Sequence, residues 1–269
     1  MDLKLQGQPI LVTGGAGGIG SRLCRRLADE GAIVVVIDID GSRASEVALS
    51  LQSGDCRNAY GFEADSSDPT RMSEIVESVR HATGREIYGL ATCAGVVERA
   101  GFLDGALPEL LRRQFELHVI GPAVATQAVL PSMLIGGGGS IVHISSSVNG
   151  HSGRDLFAYS TSKAAAAMIA PSVVNEFGKR GVRAVTICPG RVGTASALSR
   201  AASSADLEAE MLSTQVSGRW IDPDRVADVM AFYLSSCSEG CEGAVVDVTG
   251  GNWTSYGRVS HLGGVVSEN

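Results

Sequence analysis

Short runs of apolar residues alternate along the chain with longer segments whose apolar residues recur every three or four positions. A short run bounded by turn residues is typical of a strand buried on both faces, and the longer spacing is typical of an amphipathic helix. Strands and helices that alternate from end to end favour an α/β fold: a doubly wound parallel sheet with helices on both faces. The runs predict about seven strands, near 10–12, 33–37, 57–62, 87–92, 140–145, 182–187 and 244–248.

Helix signals fill the intervals between these runs. Asp68-Pro69 and Asp222-Pro223 each combine a capping residue with a proline at the first helical position. The segment 192–217 is small, polar and rich in Ala and Ser, which is compatible with a mobile substrate lid or with a pair of short helices. No linker, composition break or repeat divides the chain, so we expect one domain over 1–269. Further helices are predicted over 42–51 (with Ser42 or Gly41 near the N-cap), 108–133 and 159–177, the last with Pro171 inside it.

Composition narrows the class of protein. The 22 basic and 29 acidic residues give a net charge of −7, which disfavours nucleic acid or an anionic membrane as a partner. No apolar run reaches the length of a membrane span and the start is unlike a signal peptide, so we expect a cytoplasmic protein. The six cysteines are scattered, and Cys237 and Cys241 lack metal-site spacing, so thiols in a reducing compartment and no metal are expected.

The first strand leads directly into a glycine-rich turn and a helix. Gly15, Gly17 and Gly20 satisfy the pattern G-x-G-x-x-G, in which bare backbone and a helix N-terminus approach a pyrophosphate. The second strand ends in Asp38, at about the spacing where an acidic residue meets an adenosine ribose. A glycine turn or a βαβ unit without nucleotide remains the alternative, because the chain contains 34 glycines.

Tyr159 and Lys163 are spaced to share one face of a helix. A tyrosine with its ordinary pKa of about 10 is a poor base at neutral pH, and a nearby ammonium group lowers that pKa. Ser146 follows a predicted strand, at the edge of the sheet where ligands bind, and its hydroxyl can hold a substrate oxygen. The alternative is that Tyr159 and Lys163 are an ordinary surface pair.

Taken together, these motifs resemble the short-chain dehydrogenase/reductases over nearly the whole chain. The matching patterns are Thr13-Gly14-x-x-x-Gly18-x-Gly20, Ser146 thirteen residues before Tyr159-x-x-x-Lys163, and Pro189-Gly190-x-Val192-x-Thr194. The resemblance implies a homo-oligomer, a tetramer or a dimer. It also implies that Tyr159 is the general acid/base, that Lys163 binds the nicotinamide ribose and that Ser146 orients the substrate oxygen. It further implies a set of cofactor contacts. These are Gly14, Gly18, Ile19 and Gly20 at the pyrophosphate, Asp65 near the adenine, Ala94 and Gly95 where the backbone comes close to the cofactor, and Thr194 at the carboxamide.

Three positions depart from the family pattern. The family's Asn-Asn-Ala-Gly is Thr92-Cys93-Ala94-Gly95 here, so the amide hydrogen bonds that steady the sheet must be made otherwise. The family's catalytic asparagine, whose main-chain carbonyl helps to hold a relay water, falls on His118. His118 either preserves that water through its backbone, relays protons with its imidazole, or fills the asparagine's space. Pro171 is expected to kink its helix and to alter a subunit interface.

The sequence therefore predicts an NAD-dependent oxidoreductase that acts on a secondary alcohol or ketone. Asp38 repels a 2′-phosphate, which argues against the alternative of an NADPH-dependent enzyme like 3-oxoacyl carrier protein reductase, although Arg22 leaves it open. A non-catalytic nucleotide-binding protein on the same fold is a further alternative. The sequence does not identify the substrate; candidate pocket residues are His151, Arg154, Leu156, Arg191 and the segment 195–211.

Overall fold

The computed structural model describes residues 2–52, 59–150 and 152–251. Its described strands form one seven-stranded sheet in the order β3-β2-β1-β4-β5-β6-β7, and every pair is parallel. The expected doubly wound α/β fold is confirmed. The strands are β1 (Pro9–Thr13), β2 (Ile33–Asp38), β3 (Ala59–Glu63), β4 (Gly89–Thr92), β5 (Gly139–Ile144), β6 (Val182–Pro189) and β7 (Val245–Val248).

Helices connect successive strands and cover both faces of the sheet. Asp68 and Asp222 cap their helices as expected, with carboxylates that accept backbone N–H groups of the first turn. The helices are α1 (Gly20–Asp29), α2 (Gly41–Leu51), α3 (Pro69–Thr83), α4 (Leu107–Phe115), α5 (Gly121–Ile135), α6 (Phe157–Ala166), α7 (Ile169–Phe177), α8 (Ala195–Ala201), α9 (Ala205–Ser213) and α10 (Pro223–Leu234).

Alternate residues of the five inner strands, β1, β2, β4, β5 and β6, supply the cores on the two faces. Val12 and Val34 belong to one buried cluster, which includes residues of α1 and α10, while Leu11 and Val35 belong to the other, which includes residues of α3, α5 and α7. Successive side chains of a strand point to opposite faces, so a strand buried on both sides is apolar throughout. This packing explains why the strands read as continuous apolar runs.

Two predicted helices are interrupted. The region expected to be one helix over 108–133 contains a π-helical segment, Glu116–Ile120, in which the Gly121 N–H bonds the carbonyl of Glu116. Pro122 follows and has no N–H for the carbonyl of residue 118, its α-helical partner. The helix expected over 159–177 is two helices, α6 and α7, separated by a turn at Ala167 and Met168.

Several local predictions need correction. Asp40, and not Ser42 or Gly41, caps α2, because its carboxylate accepts the Arg43 N–H. Pro171 does not kink a helix interior, because it is the third residue of α7, where the N–H has no intrahelical partner. The third strand begins at Ala59, and Arg57 lies outside the described residues. The segment 192–217 contains two short helices, α8 and α9, which was one of the two alternatives.

One helical stretch meets the length and composition of a membrane span, contrary to expectation. It covers Leu107–Ile135, with a mean hydropathy of 1.4, and is the only such stretch among the described residues. Its second half, α5, buries Ala125, Val129 and Met133 in one of the two sheet cores. A helix of a soluble protein's core passes the same test, so the stretch is weak evidence for a membrane.

Candidate active site

The residues predicted to bind a cofactor gather at the carboxyl ends of the strands. Thr13 ends β1, Asp38 ends β2 and Pro189 ends β6, while Ala94 and Gly95 follow β4. Strand order reverses between β1 and β4, and the crevice at such a switch point is where open α/β sheets bind ligands. Sheet topology therefore brings together residues that are far apart in sequence.

The glycine turn leaves no room for side chains. Gly14 has φ +64°, and a Cβ there would meet the backbone of Ala94; a Cβ on Gly20 would meet the carbonyl of Gly14. A Cβ on Gly18 would lie 2.7 Å from Thr194. Helix α1 begins at Gly20 with Ile19 at its N-cap, and no side chain of the described residues caps it. These features fit a pyrophosphate, which binds bare backbone and uncapped N–H groups.

Asp38 is held at the edge of this cradle. Its carboxylate accepts the Ala16 N–H at 3.0 Å and the Asp40 N–H at 3.2 Å. Arg43, which sequence analysis passed over, reaches the same place from α2 and donates to the Ala16 carbonyl at 3.0 Å. Arg22, the residue that left NADPH open, lies instead 3.6 Å from Asp224 on α10. Arg43, and not Arg22, therefore places a positive charge on the glycine turn near Asp38.

Asp65 is exposed, two residues beyond the end of β3. One of its carboxylate oxygens accepts both the N–H and the hydroxyl of Ser67, at 2.9 and 2.8 Å. These bonds hold the carboxylate at the same edge of the sheet as Asp38, where the predicted adenine contact would be made.

Tyr159 and Lys163 share one face of α6, as their spacing predicts. The Lys163 Nζ lies 5.9 Å from the centre of the Tyr159 ring and donates to the Ile144 carbonyl at the end of β5, at 3.1 Å. The Ser145 hydroxyl donates to the Lys163 carbonyl at 2.7 Å, which ties α6 to the same strand end. Ser146 is buried beside them, and its hydroxyl lies near enough to Tyr159 to favour the phenolate. Lys163 is buried and Tyr159 is half-buried, so the two residues are not an ordinary pair on an exposed helix face.

Burial controls the ionisation of these groups. It raises the pKa of Tyr159, while the Ser146 hydrogen bond and the positive charge of Arg191 act in the opposite direction. It lowers the pKa of Lys163 to about 8, because little solvent remains around the ammonium group. The expected lowering of the tyrosine pKa is therefore not the net effect in the protein without ligand.

His118 lies in the π-helical segment and is buried against the same cluster. Its ring packs edge-on against Tyr159, with ring centres 5.5 Å apart, and its Nδ1 lies 2.9 Å from the Ser162 hydroxyl. Burial and the charge of Lys163 lower its pKa to about 2. The ionisation near neutral pH that would accompany proton relay by the imidazole is therefore not expected.

Thr92 and Cys93 stand where the family has two asparagines. Other hydrogen bonds, which the sequence did not predict, connect the strands at this point. The Thr92 hydroxyl lies 2.9 Å from Nδ1 of His143 on the neighbouring strand β5, and the Cys93 N–H donates to the Thr13 carbonyl on β1. Together these contacts bridge β1, β4 and β5, the task expected of the missing asparagines. Burial raises the pKa of the Cys93 thiol to about 12, so this thiol is neutral.

The segment after β6 folds back over the cradle. Gln215 accepts the Arg191 N–H at 2.6 Å and donates to the Arg219 carbonyl at 2.7 Å. Val192 forms an isolated parallel bridge with Ile221. Thr194 packs on Gly18, as noted, and its hydroxyl caps α8 by accepting the Ala197 N–H. Pro189 and Gly190 thus lead into the segment 192–217, whose first helix begins beside the glycine turn.

The candidate substrate residues differ in how far they are exposed. Leu156 is buried, whereas the Arg154 side chain is 95% exposed. Arg191 lies close enough to Tyr159 for its charge to act on the phenol. His151 lies outside the described residues.

Comparison with known proteins agrees with the geometry. The family model described as short chain dehydrogenase matches residues 8–204. The chain is 32% identical over 256 residues to the (3R)-3-hydroxyacyl-CoA dehydrogenase of Mus musculus, covering 93% of this chain and 97% of that one.

Two solved structures are also similar. The L-sorbose reductase of Gluconobacter frateurii, complexed with NADPH and L-sorbose, has a TM-score of 0.87 at 26% identity, over 94% of this chain and 99% of that one. A 7α-hydroxysteroid dehydrogenase complexed with NADH and 7-oxo glycochenodeoxycholic acid has a TM-score of 0.85 at 27% identity, over 93% and 96%. The protein belongs to the short-chain dehydrogenase/reductase family and is an oxidoreductase of that family.

Proposed function

We propose that this protein transfers a hydride between NAD(H) and a small secondary alcohol or ketone, with Tyr159 as the general acid/base. The observation that carries the proposal is the cluster of Ser146, Tyr159 and Lys163 at the carboxyl end of β5, beside a cradle that fits a pyrophosphate. The relatives are named for activities on hydroxyacyl, sugar and steroid compounds, all of which involve a hydroxyl or keto group, and these names support this class of reaction.

Each residue has a defined task in alcohol oxidation. The Tyr159 phenolate accepts the proton of the alcohol oxygen, while the Ser146 hydroxyl hydrogen-bonds the same oxygen. The Lys163 ammonium favours the phenolate and holds the ribose. The bound nicotinamide supplies the hydride chemistry, and the protein supplies orientation and the proton path. The lid 192–217 excludes water from the cleft.

Asp38 is the observation that supports NAD(H). Its carboxylate is held beside the glycine turn by the Ala16 N–H, and a negative charge at the end of the second strand disfavours a cofactor with a 2′-phosphate. Arg43 supports the second candidate, an NADPH-dependent reductase, because its guanidinium also lies on the glycine turn. We propose that Arg43 stabilises the glycine turn through its hydrogen bond to the Ala16 carbonyl. Asp38 then determines the preference for NAD(H) over NADP(H).

Fluorescence titration of both cofactors against wild type, Asp38→Ala and Arg43→Ala tests this choice. NAD(H) should bind at least about tenfold more tightly than NADP(H), and Asp38→Ala should remove most of that difference, which corresponds to about 1.4 kcal/mol. Equal or inverted affinities in the wild type, or a loss of NADP(H) binding confined to Arg43→Ala, would favour the second candidate. Turnover with a panel of alcohols and ketones tests the reaction class.

We further propose a homo-oligomer that works in the cytoplasm on a small-molecule substrate, with neither nucleic acid nor membrane as a partner.

A further inference from the structure

Two histidines are buried near the site, and their surroundings differ. His143 lies with Nδ1 2.9 Å from the Thr92 hydroxyl and Nε2 3.4 Å from the Thr126 hydroxyl, so both ring nitrogens have partners. His118 is 1% exposed, and its Nε2 has no hydrogen-bond partner among the described residues. A buried polar atom without a hydrogen-bond partner destabilises the protein, so we expect Nε2 to have a partner that the protein's own described atoms do not supply.

The hydrogen bonds of Ser162 determine which nitrogen of His118 carries the proton. The Ser162 hydroxyl donates its single proton to the Tyr159 carbonyl, at 2.8 Å. Its oxygen therefore accepts from His118, whose Nδ1 lies 2.9 Å away. The imidazole is protonated at Nδ1, and Nε2 presents a bare lone pair.

That lone pair lies beside the catalytic lysine. A Cβ built on Gly95 would stand 3.0 Å from Nε2 of His118 and 3.5 Å from Nζ of Lys163. Both nitrogens therefore face the same side of the Gly95 Cα and lie near enough to each other for one small group in front of the glycine to contact both. The Lys163 ammonium has three N–H donors, and its bond to the Ile144 carbonyl uses one. A water here can accept from Nζ and donate to Nε2.

We propose that the neutral imidazole of His118 holds a water between its Nε2 and Nζ of Lys163, and so positions the proton path that leads away from Tyr159. The acceptor is the side chain, in contrast to the main-chain carbonyl expected from the family. His118 is a positioning residue, because it acts through the water and Lys163. This inference rests on the proposed function of Tyr159 and Lys163.

The groups around His118 keep its imidazole neutral. Lys163 and Tyr159 face it from α6 and Gly95 faces it from the loop after β4, where the Cys93 thiol is neutral and adds no negative charge. Burial and the Lys163 charge both disfavour the imidazolium. His118 therefore offers a fixed acceptor at every working pH.

Two substitutions of His118 distinguish the role of its Nδ1 from the role of its Nε2. Asparagine places its amide near the Nδ1 position, whereas glutamine extends its amide to about the Nε2 position. His118→Asn should lower kcat about tenfold, with a larger solvent deuterium isotope effect, while KM and the cofactor Kd change less than about twofold. His118→Gln should recover most of kcat. His143→Gln is the matched control: it loses buried hydrogen bonds and stability, and keeps kcat.

A second measurement does not depend on turnover. Nitrogen NMR of ¹⁵N-histidine protein without cofactor should show His118 protonated at Nδ1 and bare at Nε2 from about pH 5 to about pH 9, values that span the ordinary histidine pKa. Protonation at Nε2, or a titration near pH 6.5, overturns the proposal. If His118→Asn fails to fold, His118→Gln and this spectrum decide.

The kinetic outcomes are also decisive. Unchanged kcat and isotope effect in His118→Asn show that the side chain holds no relay water. A cofactor Kd that weakens more than kcat falls shows that Nε2 meets the ribose, which also contradicts the proposal. If the wild type turns over no alcohol or ketone, the proposed function fails, and the NMR result still reports on the imidazole.

Discussion

At the scale of single residues, the site combines groups whose ordinary ionisation is disturbed by burial. Lys163, 4% exposed, has a pKa lowered to about 8, and Tyr159, partly buried, has a pKa that is raised. Both shifts oppose the ions that the proposed chemistry uses. The protein without ligand is therefore strained electrostatically at the point where catalysis is proposed.

Tyr159→Phe should abolish turnover while the cofactor Kd stays within about twofold of wild type, because only the ionisable hydroxyl is lost. Single-turnover kinetics and fluorescence titration measure the two effects. Phe157→Tyr, which adds a hydroxyl to the same helix, controls for general disturbance of α6. A Tyr159→Phe enzyme that keeps more than about a hundredth of wild-type kcat would contradict the assignment, since general acid–base catalysis contributes about 10²–10⁴-fold.

Lys163→Met should stabilise the protein without ligand at neutral pH while it destroys cofactor binding. The lysine pKa is about 8 in the folded protein and about 10.5 in the unfolded chain, so the unfolded chain binds more protons between these values. Wild-type stability should therefore rise between pH 8 and about pH 10.5, by up to about 3 kcal/mol.

The difference between wild-type and Lys163→Met urea unfolding across this pH range isolates the lysine from other titrating groups. Lys179→Met, at an exposed position, should show no such pH dependence. A Lys163→Met protein that is less stable than wild type at pH 7 would mean that the bond to the Ile144 carbonyl outweighs the cost of burial.

At the scale of elements, departures from regular helix occur beside the site. The π-helical segment carries His118, and the turn between α6 and α7 begins four residues after Lys163. π-helical turns are frequent at functional sites because they shift the direction of the side chains that they carry. The Lys163 carbonyl, which accepts from Ser145, also accepts the Ala167 N–H at the turn.

Two prolines test how helices tolerate this residue. Pro171 lies in the first turn of α7, so Pro171→Ala should lower the free energy of unfolding by about 0.4–1 kcal/mol, through greater freedom of the unfolded chain. Pro131 lies inside α5, and Pro131→Ala should raise the free energy of unfolding, because the alanine N–H can bond the carbonyl of Gln127. Urea unfolding of both variants measures this contrast. A gain in Pro171→Ala would show that this proline strains α7 as first expected.

At the scale of the whole molecule, several large apolar side chains face outward. Met168 is 62% exposed at the turn before α7, and Ile120 is 43% exposed at the end of the π-helical segment. Apolar surface of this kind is consistent with the proposed homo-oligomer.

Light scattering at micromolar concentration should give a mass of two or four times 27.8 kDa. Met168→Glu should shift the equilibrium towards smaller species, since it places a charge at an apolar position, and Glu176→Gln on an exposed part of α7 is its control. A wild type that scatters as a monomer would count against the assembly.

The sequence by itself determined the features that depend on neighbours along the chain. Apolar runs identified the buried strands, Asp68-Pro69 and Asp222-Pro223 located two helix starts, and glycine spacing located the cradle. Tyr159 and Lys163 could be paired because a helix brings residues four apart to one face. Each of these signals depends on residues close together in sequence, so it can be interpreted without knowledge of the tertiary structure.

Only the tertiary structure decided the features that depend on distant residues. Arg22 meets Asp224 across two helices, Thr92 finds His143 on the next strand, and Thr194 packs on Gly18. The pKa values of Lys163 and His118 follow from burial, which belongs to the assembled core and not to either residue type. The bare Nε2 of His118 likewise appears only when Ser162, Gly95 and Lys163 are brought around one ring, because a hydrogen bond is satisfied or left open in three dimensions.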